Sequence, residues 1–334
     1  MLQRVLGDGF SASSVSFGAM GLSEFYGETP SETASVAVLE KAAELGVSMI
    51  DTADMYGRGH NEELIGRFLK NHRSLAADGG IKIATKFGIE RAADDPYKRR
   101  VNNSPGYIRK ACENSLKRLA LERIDLYYAH RIDSEADLAE TMETLAGLVK
   151  EGKIAHIGLC EVSAATLKAA NKFHQIAAVQ SEYSLWTRDV EGSVIPACRE
   201  LGIGFVAYSP LGRGFLSGRY TTTENLDSAD FRSSNPRFQG DNLRHNLTLL
   251  PALEALADSL GASPAQVALA WLLSRNPSLV VIPGTKGLNR LEENCAAAEI
   301  EISPEQSLEL ERVFAPEAVK GERYTAEGMK GLDA

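Results

Sequence analysis

Cysteine is scarce and scattered in this sequence: Cys112, Cys160, Cys198 and Cys295 stand far apart, and no two share a CxxC spacing. That argues against a disulfide framework or a cysteine-based zinc site and suits free thiols in a reducing compartment. Long runs of Lys and Arg are also missing. With 45 acidic against 36 basic residues, the formal net charge is -9 at pH 7, so nucleic acid and anionic membrane surfaces are not expected partners. No apolar run approaches the roughly 20 residues that span a bilayer. The first residues lack the basic-then-apolar pattern of a secretory signal, and a soluble, cytoplasmic protein is expected. Nowhere does a GxGxxG follow a strand-like run, which removes the usual fingerprint of an open dinucleotide-binding sheet.

What is present is alternation. The 334 residues, 44% of them hydrophobic, suffice for a large core. A hairpin turning at Gly7-Asp8-Gly9 is expected first, then strands near 15–17, 47–50, 81–86, 124–130, 154–159, 177–180, 204–208 and 279–282. Helices are expected over about 32–45, 61–69, from 105 onward, and over about 135–150, 164–173, 192–201, 249–260, 264–273, 288–298 and 305–314. Residues 88–103 and 209–241 read as loops, and the polar tail from about residue 315 is expected to be loosely held. Eight strands, each followed by a helix, imply an α/β fold in which a parallel sheet closes into a single (β/α)₈ TIM barrel domain, with an N-terminal hairpin and two extra helices.

In such a barrel the chemistry sits at the carboxyl ends of the strands and in the loops after them. Those positions hold Asp51, Lys86, His130, Cys160 and Gln180, with Tyr56 in the glycine-rich loop after Asp51. Lys86 is costly to bury unless a partner holds its charge, and Asp51 is the nearest choice. A cation beside a phenol favours the phenolate, so Tyr56 is expected to titrate below the usual value of about 10 and to serve as a general acid. His130 is placed to hydrogen-bond a carbonyl oxygen. Singly, each residue has a plainer use: a turn cap, a structural ion pair, a core histidine, a packing thiol. It is their meeting on one rim that suggests protonation of a carbonyl oxygen while an electron pair arrives at its carbon.

Three stretches then carry a family resemblance: Asp51-Thr52-Ala53-Asp54-Met55-Tyr56-Gly57 with Asn61-Glu62, the run from Leu119 to His130, and Ile282-Pro283-Gly284-Thr285-Lys286 with Glu293-Asn294. In this order they resemble the signatures of the aldo-keto reductases, and the likeness covers nearly the whole chain. It is nearest to the microbial and plant members resembling pyridoxal and perakine reductases. The resemblance implies NADPH-dependent reduction of small aldehydes or ketones, with Tyr56 as acid, Asp51 and Lys86 tuning it, and His130 orienting the carbonyl. By the same likeness Gln180 meets the nicotinamide carboxamide, Tyr208 stacks on the ring, and Ser209, Pro210, Leu211, Gly212 and Gly214 cover the pyrophosphate. Lys286 and Arg290 meet the 2′-phosphate, Glu293 and Asn294 the adenine, and Gly284 and Thr285 belong to the same cofactor stretch. Cys160-Glu161 stands where many members have Ser-Asn, a departure at the nicotinamide.

Pocket walls are expected from the loops around 20–26, 87–97, 186 and 213–237, with Phe25, Tyr26, Phe87 and Trp186 as an aromatic lining. No metal is called for. Two other functions compete: an NADPH-binding redox sensor or regulatory subunit, as the distantly similar channel β-subunits are, and an aldolase using Lys86 as a Schiff-base nucleophile.

Overall fold

A computed structural model describes residues 1–75, 80–92, 99–222, 226 and 230–332. The expected wall loops 87–97 and 213–237 are therefore described in part, with 93–97, 223–225 and 227–229 lying outside. The eight barrel strands are Phe17–Gly18, Met49–Asp51, Lys82–Phe87, Ile124–Ala129, Ile154–Cys160, Ala178–Glu182, Gly204–Tyr208 and Leu279–Val281. Each pairs in parallel with the next along the chain. A parallel bridge from Val15 to Val281 joins the first strand to the last, with Ser16 N–H donating to Val281 O at 2.8 Å and Val281 N–H to Ser14 O at 3.0 Å. The sheet is a closed (β/α)₈ barrel.

Strand parity sorts the side chains. Met49, Ala84, Leu126, Tyr128, Val206 and Val280 fill the barrel interior. Their neighbours Ile50, Ile83, Tyr127, Phe205 and Val281 point outward and pack with the surrounding helices. The expected hairpin, Gln3–Val5 against Ser11–Ser13, plugs the amino end of the barrel with Leu6 and Phe10. Gly204 makes room for it: a Cβ there would lie 2.4 Å from Leu6 Cβ.

Helix ends follow the local chemistry. Ser31 caps Glu32–Glu44 by accepting from Ala34 N–H. Ser263 with Gln266, and Ser303 with Gln306, form capping boxes ahead of Pro264–Arg275 and Pro304–Val313, each with proline in the first turn. Three segments depart from the sequence reading. The loop at 88–103 contains an antiparallel pair, Ile89–Arg91 with Arg99–Val101, whose three-residue strands are too short and charged to show a period. The loop at 209–241 ends in a helix, Gly240–Leu247. The tail after 315 is tied down, with Arg323 only 7% exposed.

Among the described residues no helix is long and apolar enough to cross a membrane.

Candidate active site

The second and third strands deliver the charged centre. Asp51 ends one strand and Lys86 faces inward near the end of the next, so both reach the interior at the carboxyl rim. Lys86 is fully buried. Its ammonium donates to Asp51 Oδ1, to Thr52 O at 2.7 Å and to the Tyr56 hydroxyl at 3.4 Å. Asp51 Oδ2 accepts from Gln180 Nε2 at 2.7 Å, so both carboxylate oxygens are used. Tyr56 sits in a tight turn where Gly57, Arg58 and Gly59 are all left-handed, a shape two glycines make inexpensive. Its ring meets His130 edge-on at 5.9 Å between centroids.

Asn61 and Glu62, at the start of the helix His60–Asn71, brace this turn from behind. Asn61 Nδ2 donates to Ala19 O and Asn61 Oδ1 accepts from Thr52, while Glu62 takes Thr85 Oγ1 and Arg118 Nε. Both are fully buried and neither lines the cleft.

Burial dominates the electrostatics. It pushes the Tyr56 phenol up to about 12, with Lys86 pulling the other way and Asp51 adding to the rise. The expectation of a lowered phenol is thus overturned: the lysine charge is already engaged by Asp51, and desolvation of a phenolate outweighs what remains. Lys86 is penalised by burial, yet Asp51 and then Tyr56 more than offset this and raise it above an ordinary lysine. Burial raises Asp51, against the pull of Lys86 and Gln180. Burial, then Lys86, Arg131 and Arg99, holds His130 well below its usual value, so the imidazole is neutral at physiological pH. Its Nδ1 is buried and has no hydrogen-bond partner among the described residues.

These groups open into a cleft of about 420 Å³. Along it run Gln180, Tyr208, Ser209, Pro210, Leu211, Gly214, Gly284, Thr285, Lys286, Arg290, Glu293 and Asn294, together with Phe25 and Tyr26. Three expected contributors are elsewhere. Phe87 points out of the barrel onto Tyr127, 4.9 Å between centroids, because Lys86 points in and parity reverses at the next residue. Trp186 is buried beneath the 212–217 turn, stacked on Phe215 at 4.1 Å. Gly212 does not line the cleft: it backs onto that indole, and a Cβ would fall 2.3 Å from Trp186 Nε1.

The cleft's features suit an elongated phosphorylated cofactor. Among the described residues Lys286 donates to the carbonyls of Tyr26 and Glu28, and Arg290 is exposed, leaving two cations for a phosphate. Gly284 crosses Gly18 so closely that a Cβ would sit 2.8 Å from its carbonyl oxygen. Ser209, Gly212, Arg213 and Gly214 all take positive φ, which coils the loop into a tight turn closed by Gly212 N–H donating to Ser209 O at 2.9 Å and Gly214 N–H to Leu211 O at 3.0 Å.

Several cleft features escaped the sequence reading. Glu161, which the Ser-Asn comparison puts at the cofactor, does not line the cleft. It turns away to hold the tail, accepting from Arg323 Nη1 and Nη2 at 3.0 and 2.9 Å. That anchors Tyr324, whose hydroxyl bonds the Tyr208 hydroxyl at 2.7 Å. Glu182 similarly grips Arg213 through both oxygens, and Arg213 stacks on Tyr324 and Phe231. Arg131, one residue past His130, also lines the cleft. Its place at a strand end was the available signal.

Comparison with known proteins agrees with this geometry. Residues 14–314 match the model of the aldo/keto reductase family. The probable aldo-keto reductase 1 of Glycine max is 42% identical over 325 residues, covering 97% of this chain and 91% of the relative. Among solved structures, a glycerol dehydrogenase from Gluconobacter oxydans superposes with a TM-score of 0.85 at 26% identity, covering 94% of this chain and 96% of that one. An aldo-keto reductase from Bacillus halodurans, in its holo form, gives 0.76 at 25%, covering 98% and 99%. The chain belongs to the aldo/keto reductase family. It is accordingly an oxidoreductase of carbonyl groups, in a family whose members use nicotinamide cofactors.

Proposed function

We propose that the protein reduces small aldehydes or ketones to alcohols with NADPH, using Tyr56 as the general acid. The observation that carries this reading is the buried chain Asp51–Lys86–Tyr56 beside a neutral His130 at the floor of a phosphate-suited cleft. Lys286 and Arg290 would hold the 2′-phosphate, Ser209, Pro210, Leu211, Gly214 and Gly284 the pyrophosphate side, and Tyr208 and Gln180 the nicotinamide. When bound, the cofactor supplies a hydride to the carbonyl carbon.

The chain's own residues then handle the oxygen. His130, neutral, donates one N–H to the substrate carbonyl and fixes its direction. The Tyr56 hydroxyl gives its proton to that oxygen as negative charge builds there, and the product leaves as an alcohol. Lys86, 3.4 Å from the phenol oxygen, stabilises the phenolate left behind, and Asp51 keeps Lys86 charged. An alkoxide is a much stronger base than a phenolate, so a phenol near 12 still yields its proton. Lys86 is ill suited to the Schiff-base alternative, because a nucleophilic lysine must be neutral and this one is held cationic by Asp51 and Thr52 O.

The test is NADPH oxidation against pyridoxal and nitrobenzaldehydes, with NADH in parallel. Saturable turnover preferring NADPH is expected. Tight NADPH binding without turnover would replace this reading with the redox-sensor one, and no binding at all would remove both.

A further inference from the structure

The cleft is cationic although the chain is not. Two of its carboxylates, Asp51 and Glu293, are paired, with Lys86 and Arg219 respectively. Arg131 and Arg99, which line the same cleft as His130, have no such partner among the described residues. The carboxylate nearest Arg131 in influence is Glu161, and both its oxygens are taken by Arg323. The one near Arg99 is Glu24, already paired with Arg91 at 2.7 Å. Arg131 Nη1 donates to the His130 backbone carbonyl at 2.6 Å, which ties the guanidinium to the main chain there. Arg99 lies over the Phe25 ring, 5.6 Å from its centroid.

These two arginines also act against each other. Arg131 is among the groups that lower Arg99, and both press on His130. Two guanidinium groups that line one cleft without a carboxylate partner leave positive charge for an incoming anion to balance. Lys286 and Arg290 lie by the Gly284–Thr285 stretch of the cleft, so the cofactor's phosphate leaves the Arg131 pair unbalanced. Guanidinium forks match carboxylate and phosphate oxygens.

We propose that Arg131 and Arg99 bind an anionic group on the substrate, so that the preferred substrates are aldehydes or ketones carrying a carboxylate or phosphate. This rests on the carbonyl-reductase reading and adds the substrate's charge to it. Because His130, Arg131 and Arg99 all line the same cleft, a substrate held by its anion at the arginines can present its carbonyl to His130.

The experiment compares kcat/KM of the NADPH-loaded enzyme for matched pairs: 4-carboxybenzaldehyde with methyl 4-formylbenzoate, and pyridoxal 5′-phosphate with pyridoxal. The charged member of at least one pair is expected to be preferred roughly tenfold or more, as a charge-assisted contact implies, and the preference should shrink with added salt. Which pair responds more strongly separates carboxylate from phosphate. Arg131→Met and Arg99→Gln should each cut the ratio, with Arg131→Lys retaining more of it than Arg131→Met. Should Arg131→Met fail to fold, Arg99→Gln and competitive inhibition by benzoate, with benzamide as the neutral control, carry the test.

A ratio near or below one with good turnover of the neutral members overturns the anion clamp and leaves the reductase standing. A ratio unchanged in both variants, or a loss in Arg131→Met matched by weaker NADPH binding, overturns it too. No turnover of either member of either pair removes the reductase reading first, and this inference with it.

Discussion

Gln180 and Asp51, on strands far apart in sequence, are joined across the barrel mouth by an amide-to-carboxylate hydrogen bond of 2.7 Å. The family likeness assigns Gln180 to the nicotinamide carboxamide, and this bond gives the same side chain a task inside the protein. With Lys86 on the other oxygen, Asp51 is satisfied on both sides. Gln180→Met should leave a buried carboxylate oxygen unpaired, costing about 1–3 kcal/mol of stability in the cofactor-free protein. Urea unfolding would measure this. A change confined to NADPH affinity, with unfolding unaltered, would mean that the bond to Asp51 carries no weight.

The Glu161–Arg323 pair makes a second, separable prediction. Both side chains are nearly buried, at 4% and 8% exposure, and together they pin the tail that brings Tyr324 over Tyr208 and Arg213. Removing one partner of a buried pair strands the other charge, typically at about 3–5 kcal/mol. Arg323→Ala should release the tail, make it quickly cleaved by added protease, and raise KM for the carbonyl substrate. Tail cleavage as slow as in the wild type would refute the anchoring role.

These pairs show where sequence reasoning reached and where it stopped. Asp51, Lys86 and His130 were legible because each closes a short apolar run, and strand ends share one rim in a closed barrel. The same parity rule that turns Lys86 inward turns Phe87 outward. Expecting both in the pocket was inconsistent with a period of two, and the outward position is the one found. Trp186 offered no such clue, since its burial depends on Phe215 and Phe238 folding back from a loop more than 25 residues away. Glu161 and Arg323 are 162 positions apart, and nothing local in a polar tail marks one arginine as its anchor. The Ile89–Arg91 and Arg99–Val101 pair is held partly by a cross-strand Glu90–Arg100 contact, which reads in sequence as solvated charge.

Gly212 tests the loop beneath the cleft. Its φ is +55° and a Cβ would meet Trp186 Nε1 at 2.3 Å. Gly212→Ala therefore combines left-handed strain of about 1–2 kcal/mol with overpacking of about 1–3 kcal/mol. A lower Tm and altered tryptophan fluorescence are expected, because Trp186 is one of only two tryptophans in the chain. Wild-type melting with an unshifted emission spectrum would show that the loop makes room at no cost.

The pH profile is the strictest check on the group formed by Asp51, Tyr56, Lys86 and His130, because burial and the Lys86 charge pull Tyr56 in opposite directions. The phenol is pushed up to about 12, so the acid form needed for reduction is present throughout the neutral range and is lost only in strong alkali. Reduction should be level through neutrality. Alcohol oxidation needs the phenolate as base, so it should speed up by about tenfold per pH unit below that value where proton removal limits the rate. His130 is held well below its ordinary value, so neither direction should show a break near histidine's usual value of about 6.5. Lys86→Met removes the group that pulls Tyr56 down, and should move the alkaline limb higher while slowing turnover. Tyr56→Phe should lower turnover by roughly 10²–10⁴-fold, the usual worth of a positioned acid, with NADPH binding retained. A reduction rate that falls away already near neutrality would mean the phenol titrates low, and Lys86, not burial, would then govern the site.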